Sequence, residues 1–180
     1  MSTAPHRIHR LLPGQVNLTA LSTDATPDFI GGKREGKAAL AALGDELSDL
    51  QERLWAERTT GSRRRVLLVK CMLHISAQEQ RSRLLARLEK EDKYWKFNPD
   101  DIDERARWSD YRTAYEIALE RTNTASAPWY VVPSDKKWYR NLIVGRLLLE
   151  TLGAMELCWP SPDFDVDEQR RRLLDEATVS

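Results

Sequence analysis

An almost continuous apolar run at residues 66–75 is the feature that most restricts how this chain can fold. Its length and composition are typical of a buried β-strand. The run ends at Ser76, and Glu79 follows three residues later, which is the capping-box pattern of a helix start. A buried strand that leads directly into a helix predicts an α/β fold.

The second strand candidate is short and occupies residues 130–132, directly before Pro133. We therefore expect a small sheet of two strands. Such a sheet needs covering helices, because two strands alone are marginally stable in water. Its unpaired strand edges favour pairing with another chain or aggregation.

Two long helices are indicated on either side of the apolar run. Leucines recur every three or four residues between positions 37 and 58, which predicts one helix whose apolar seam also suits pairing between subunits. A second helix is predicted to begin near Pro99, because Asn98 can cap it and acidic residues fill its first turn.

A helix capped by Ser134 is predicted to end near Gly153. Lys136 and Lys137 lie at its amino end, where the helix dipole disfavours cations. This mismatch has two interpretations: an anion-binding position, or a plain surface.

The length of 180 residues and the hydrophobic content of 41% are typical of one ordinary domain. Lys plus Arg and Asp plus Glu are equal at 28 each, so no global field favours nucleic acid or an anionic membrane. No stretch approaches a membrane-spanning length.

Cys71 and Cys158 lack the spacing of a disulfide scaffold or zinc site, so reduced thiols in a cytoplasmic protein are expected. His6 and His9 lack a third metal ligand.

Pro and Gly punctuate residues 1–35, which we interpret as an extended arm. Within this region Gly31 and Gly36-Lys37 match most of a phosphate-loop pattern. The match fails on physical grounds: no buried strand precedes it, and Ala38 replaces the Ser or Thr that would bind magnesium. Residues 161–180 are predicted to form a charged tail with a short helix from position 167 to 176.

Basic residues are concentrated after Ser76. Arg81, Arg83 and Arg87 lie within the first turns of the predicted helix, where guanidinium groups and the helix dipole together suit phosphate. The alternative is a solvated face paired with Glu89 and Glu91.

The helix that begins near Pro99 carries an aromatic stripe that has two interpretations. Such a stripe is usually core, and the competing interpretation is a mobile lid whose basic residues face a polyanion. The stripe comprises Trp108, Tyr111, Tyr115 and Leu119.

Four motifs occur in order along this region: H-I-S-x-x-E-Q-x-x-R at 74–83, K-x-W-K-F at 93–97, E-R-x-x-W-x-x-Y-x-x-A-Y at 104–115, and A-P-W-Y-V-V-P-x-D-K-K-W at 127–138. Together they resemble the polyphosphate kinase-2 family, the polyphosphate:nucleotide phosphotransferases. The resemblance extends upstream to residues 31–33 and 50–57, and downstream to about Pro160. It implies the remnant of a P-loop-kinase-like three-layer fold, mostly helical and with the sheet reduced to two parallel strands. A partial family domain is expected at 36–160, with a helical lid at about 90–125.

One block of that family is missing. The resemblance implies a phosphate-binding loop after a strand such as residues 65–69, and later an acid that holds Mg²⁺, the expected cofactor. Here Val69 leads directly into Lys70, so both are absent. Phosphoryl transfer depends on such groups for positioning and charge stabilisation, so we expect this chain to be inactive.

Two functions therefore stay open. The resemblance implies a kinase that moves phosphoryl groups between polyphosphate and nucleoside mono- or diphosphates. The alternative is a non-catalytic remnant that binds polyphosphate, forms a homo-oligomer or pairs with an intact paralogue. In either case the resemblance places phosphate binding at Arg81, Arg83, Arg87, Lys93, Lys96, Arg105 and Lys136.

Overall fold

The computed structural model describes residues 5–59 and 67–176. Its sheet has two parallel strands, β1 (Lys70–His74) and β2 (Trp129–Pro133), with Met72 opposite Val131. The predicted α/β class, the predominance of helix and the two-stranded parallel sheet are confirmed. Val66, where the apolar run begins, lies outside the described residues.

Eight α-helices surround this sheet within the described ranges. They are α1 (Pro5–Ile8), α2 (Lys33–Ala41), α3 (Gly44–Thr59), α4 (Ala77–Leu88), α5 (Asp100–Ala106), α6 (Trp108–Thr122), α7 (Lys137–Gly153) and α8 (Val166–Glu176). Short 3₁₀ turns occupy Leu18–Ala20 and Glu91–Lys96. No helix in the described ranges is both long and apolar enough to span a membrane.

The predicted single helix at 37–58 is wrong, because the chain forms α2 and α3 with a break at Ala42 and Leu43. Both helices pack against α7. Leu40 and Leu43 contact the same point of that helix, Gly145, where an added Cβ would lie 3.0 and 3.5 Å from their side chains. The leucine spacing therefore reflects the packing of both helices against α7. The turn between α2 and α3 depends on tertiary contacts.

The Gly31 to Gly36 pattern has a packing explanation. Gly36 is buried in α2, and a Cβ added there would lie 2.1 Å from the Trp138 ring. Glycine is therefore needed for the close approach of α2 to α7. Gly31 has a φ of 130°, in the region that side chains rarely adopt.

The helix predicted near Pro99 does begin there, with the Asn98 side chain accepting from the amide of Asp100 at 3.2 Å. It ends early, because Arg107 adopts φ −92° and ψ 21° and separates α5 from α6. The aromatic stripe starts at Trp108 and therefore lies wholly on α6.

Two capping predictions are corrected. Ser76 caps α4 by accepting from the amide of Glu79 at 3.1 Å, but the Glu79 carboxylate binds Arg83 instead of returning to the cap. Ser134 does not cap α7: it is buried, and its hydroxyl donates to the carbonyl of Val132 at 2.8 Å. α7 begins at Lys137 without a side-chain cap.

The N-terminal segment lies along the outer edge of β2. The amide of Leu11 donates to the Trp129 carbonyl, and the amide of Val131 donates to the His9 carbonyl, both at 2.8 Å. Val16 and Leu18 are then buried together with Leu119 and Val131. Part of the region predicted as an arm thus contributes to the core.

A second core cluster joins β2 to α7. It contains Val132, Tyr139, Ile143 and Leu147. His9 is buried beside it, with Nε2 3.0 Å from the Tyr139 hydroxyl. His9 therefore has a structural environment, and within residues 5–59 and 67–176 no three His, Cys, Asp or Glu side chains come together to hold a metal.

Candidate anion-binding cleft

A cleft of about 930 Å³ opens at the carboxyl end of β1. This is the edge where ligands of open α/β sheets bind. The cleft is bounded by the N-terminal segment, the end of β1, helix α4, and one face of α5 and α6. Its charged and aromatic lining residues are His74, Arg83, Arg87, Asp101, Glu104, Arg105, Trp108, Tyr111, Arg112 and Tyr115.

Asp135 lies beside this cleft and bonds to two of its lining residues, Ser76 and Thr23. One carboxylate oxygen accepts from the amide of Ser76 at 2.8 Å, and the other accepts from the hydroxyl of Thr23 at 2.7 Å. Its own amide donates to the Thr23 carbonyl at 3.0 Å. Asp135 therefore joins the end of β2 to two segments that line the cleft, the start of α4 and the N-terminal segment.

Arg83 lies in the cleft wall, but its donors are largely used by the protein. Its Nε donates to the Glu79 carboxylate at 2.8 Å. Its Nη2 donates to the carbonyls of Ser134 at 2.6 Å and Asp135 at 3.2 Å. Nearby Arg140 has its pKa lowered by burial and by repulsion from Arg83. Two arginines therefore lie close together just after the carboxyl end of β2.

Arg105 connects the two walls of the cleft. Its Nη1 donates across the cleft to the Ala77 carbonyl at 3.2 Å, and it also donates to the Gln80 side chain. Arg87 donates to the Lys96 carbonyl at 3.1 Å and lies 3.8 Å from the Asp101 carboxylate. α5 is thereby tied to α4.

The other four predicted phosphate-binding residues lie outside the cleft lining. Arg81 is exposed on α4, and Lys93 is half-buried in the 3₁₀ turn. Lys96 is exposed, with Nζ 4.8 Å from the centre of the Trp95 ring. Lys136 donates to the Asp24 carbonyl at 2.6 Å. This acceptor in the N-terminal segment explains why a cation lies at the start of α7, where the helix dipole disfavours it.

Sequence reasoning did not include Arg112 in the site or the N-terminal segment as a wall. The cleft-facing positions of α5 and α6, from Asp101 to Tyr115, repeat at helical spacing, and Arg112 follows Arg105 by two turns. That spacing is a signal the sequence contains. The wall formed by Leu18 to Thr23 has no such signal, since it is irregular and distant along the chain.

The aromatic stripe divides between the core and the cleft wall. Leu119 is buried in the core, whereas Tyr111 and Tyr115 are 44% and 49% exposed and line the cleft. The Tyr111 hydroxyl donates to the Glu104 carboxylate, and this hydrogen bond raises the pKa of Tyr111. The core interpretation is therefore wrong for the two tyrosines.

The cleft lining carries four arginines against two carboxylates, so its field favours an anion. Neither carboxylate is arranged as a metal ligand, because Asp101 lies beside Arg87 and Glu104 accepts from Tyr111. Mg²⁺ needs oxygen ligands in near-octahedral geometry. These residues do not form such a donor set.

The polyphosphate kinase 2 family model matches residues 56–158, which include both strands and the helical walls of the cleft. This chain belongs to the polyphosphate kinase 2 family. Its match with an AMP/ADP-polyphosphate phosphotransferase of Meiothermus ruber is 46% identical and covers 53% of this chain and 36% of that protein. An ADP-polyphosphate phosphotransferase of Rhodopseudomonas palustris is 35% identical over 81% of this chain and 47% of its own length.

A solved polyphosphate kinase 2 shows the same fold. The crystal structure of the enzyme from Arthrobacter aurescens TC1 superimposes with a TM-score of 0.86 and 27% identity, covering 97% of this chain and 98% of that chain. The present polyphosphate kinase 2 family member spans less than half the length of the two curated relatives described above.

Proposed function

We propose that this chain binds polyphosphate in the cleft and does not transfer phosphoryl groups by itself. The observation that carries the proposal is the group of four guanidinium groups at the carboxyl end of the sheet, inside the part that matches the family. A phosphate chain presents closely spaced oxyanions, and arginine forks match their geometry.

The binding part of this proposal is supported by the balance of charge. The whole chain is neutral, with 28 basic and 28 acidic residues, so a polyanion gains little from its average surface. The cleft is a local exception, since its arginines outnumber its carboxylates. Concave sites of one sign concentrate counter-charged ligands.

The absence of turnover is proposed from the sequence and from the role of Gly36. In the described ranges 5–59 and 67–176, no strand is followed by a glycine-rich loop that ends in lysine. The most similar segment, Gly31 to Lys37, continues into helix α2. Gly36 faces Trp138 instead of a ligand. Without loop amides and the neighbouring lysine, nothing holds the transferred phosphoryl group in line.

The binding test is a titration of labelled polyphosphate of defined length, followed by anisotropy at several salt concentrations. Affinity is expected to fall steeply with salt. A double variant, Arg87→Gln with Arg112→Gln, should weaken binding far more than the control, Arg107→Gln with Arg121→Gln, which removes the same charge from exposed positions outside the cleft lining. Equal losses, or no binding by the wild type, would refute the proposal.

The turnover test uses the same purified chain with polyphosphate, Mg²⁺ and ADP or AMP, because Mg²⁺ is the cofactor expected of the family. We expect no higher nucleotide above a heat-inactivated control. Magnesium-dependent nucleotide formation that follows the protein through a second purification step would establish the competing function, a polyphosphate-dependent nucleotide kinase.

A further inference from the structure

The four arginines that line the cleft differ in how many protein acceptors they already have. Arg83 donates to one carboxylate and two carbonyls. Arg105 donates to the Ala77 carbonyl and to the Gln80 side chain, and Arg87 donates to the Lys96 carbonyl. A phosphate that approached these three would compete with bonds that hold the cleft together.

Arg112 is different. It lies on the α6 wall and is half-buried, yet its guanidinium group makes no hydrogen bond or ion pair with any residue in the described ranges 5–59 and 67–176. A guanidinium group has five N–H donors and cannot lose its charge at any ordinary pH. Arg112 therefore offers the cleft an unused, permanently charged fork.

The residue that would normally pair with Arg112 is engaged elsewhere. Glu116 lies four positions further along α6, the spacing at which a helix forms an ion pair. Its carboxylate instead accepts from the amide of Leu18 at 2.8 Å, in the N-terminal segment. Docking of that segment thus takes away the natural partner of Arg112.

We propose that Arg112 is the residue that directly contacts phosphate in the cleft, while Arg83, Arg87 and Arg105 are positioning residues that hold the walls in place. The proposal rests on the polyphosphate binding proposed above and deepens it by dividing the arginines into two roles. The ligand group is a phosphate oxyanion, which can accept two parallel hydrogen bonds from one guanidinium group.

The test compares single variants by polyphosphate titration and by thermal unfolding. Arg112→Gln is expected to weaken polyphosphate binding by about tenfold or more, the loss expected from removing charge-assisted hydrogen bonds, with an unchanged melting temperature. Arg121→Gln, which removes the same charge from an exposed position on the same helix, should change affinity by no more than about twofold. Arg112→Lys should fall between Arg112→Gln and the wild type, because lysine keeps the charge but loses the fork.

Arg83→Gln and Arg105→Gln should lower the melting temperature, because each leaves protein acceptors without a donor. Wild-type affinity in Arg112→Gln, or a loss equal to that of Arg121→Gln, would overturn the assignment of Arg112 while leaving polyphosphate binding intact. A stable Arg83→Gln variant with normal melting and the largest loss of affinity would also overturn it. If the wild-type chain binds no polyphosphate, both proposals fail together.

Discussion

Gly36 is the residue at which α2 packs directly against the Trp138 ring of α7. Replacing it with alanine would place a Cβ 2.1 Å from the Trp138 ring, so α2, α7 or the indole must move. We expect Gly36→Ala to lower the free energy of unfolding by about 1–3 kcal/mol, the usual cost of overpacking. Urea unfolding measures this cost.

The matched control for that substitution is Gly44→Ala, at the start of α3, where an added Cβ meets nothing within 4 Å. It should be neutral or slightly stabilising, since alanine is the better helix former. If both substitutions cost the same, the packing explanation of Gly36 is wrong.

His9 gives the protein a pH-dependent stability. Burial lowers its pKa from 6.5, so the folded chain prefers the neutral imidazole. The unfolded chain therefore takes up a proton first as the pH falls below 6.5, and the contribution of His9 to stability is lost between that value and the lower folded pKa. At higher pH the contribution is fully present.

This predicts a melting temperature that falls between pH 7.5 and pH 5, with a smaller fall in His9→Gln. The His74→Gln variant is the comparison, because His74 is half-buried and contacts the Leu21 carbonyl at 3.1 Å. An unchanged pH profile in His9→Gln would show that other groups cause the acid sensitivity.

At the scale of elements, Asp135 is the connection that holds the cleft in shape. Its carboxylate accepts from the start of α4 and from Thr23 of the N-terminal segment. We expect Asp135→Asn to cost about 1.5–3 kcal/mol, because the amide replaces charged acceptors and one of its atoms can only donate. Asp163→Asn, in the exposed stretch before α8, is the control and should be neutral.

The Asp135→Asn variant should also show faster hydrogen exchange at residues 18–23 and at the start of α4, because both are tied to the lost carboxylate. Exchange that increases uniformly over the molecule would instead mean a global loss of stability. Such a result would argue against a local role in the cleft.

At the scale of the whole molecule, the two edges of the sheet differ. The N-terminal segment covers the outer edge of β2 through Leu11 and His9, while β1 pairs only with β2 in the described part of the chain. Leu68, just before β1, is 65% exposed. An open strand edge with exposed apolar residues is a common route to association.

We therefore propose that the chain self-associates through β1 and predict a concentration-dependent increase in mass by sedimentation velocity. Leu68→Lys should reduce this association, because edge lysines oppose pairing of strands. Ile30→Lys, at a fully exposed residue away from β1, should not. A wild-type chain that stays monomeric at high concentration would refute the prediction.

Local pattern was sufficient for much of the architecture. The residues around 70–79 contain both the strand and the start of α4, because apolar content and the Ser76 cap act within a few positions of the chain. The start near Pro99 and the charged helix at the C-terminus followed from equally local signals. The family resemblance, in contrast, supplied the seven proposed phosphate-binding residues, of which Arg83, Arg87 and Arg105 line the cleft.

The tertiary structure decided which of these groups are available to a ligand. Arg83 is engaged by carbonyls 51 and 52 positions away, Lys136 by a residue 112 positions away, and Glu116 is drawn from Arg112 by a contact across 98 positions. No periodicity encodes such pairings, since they depend on where distant segments meet. The sequence therefore determined most of the elements and their charge, and the packing of the N-terminal segment against the sheet and α6 determined which arginine is left without a protein acceptor.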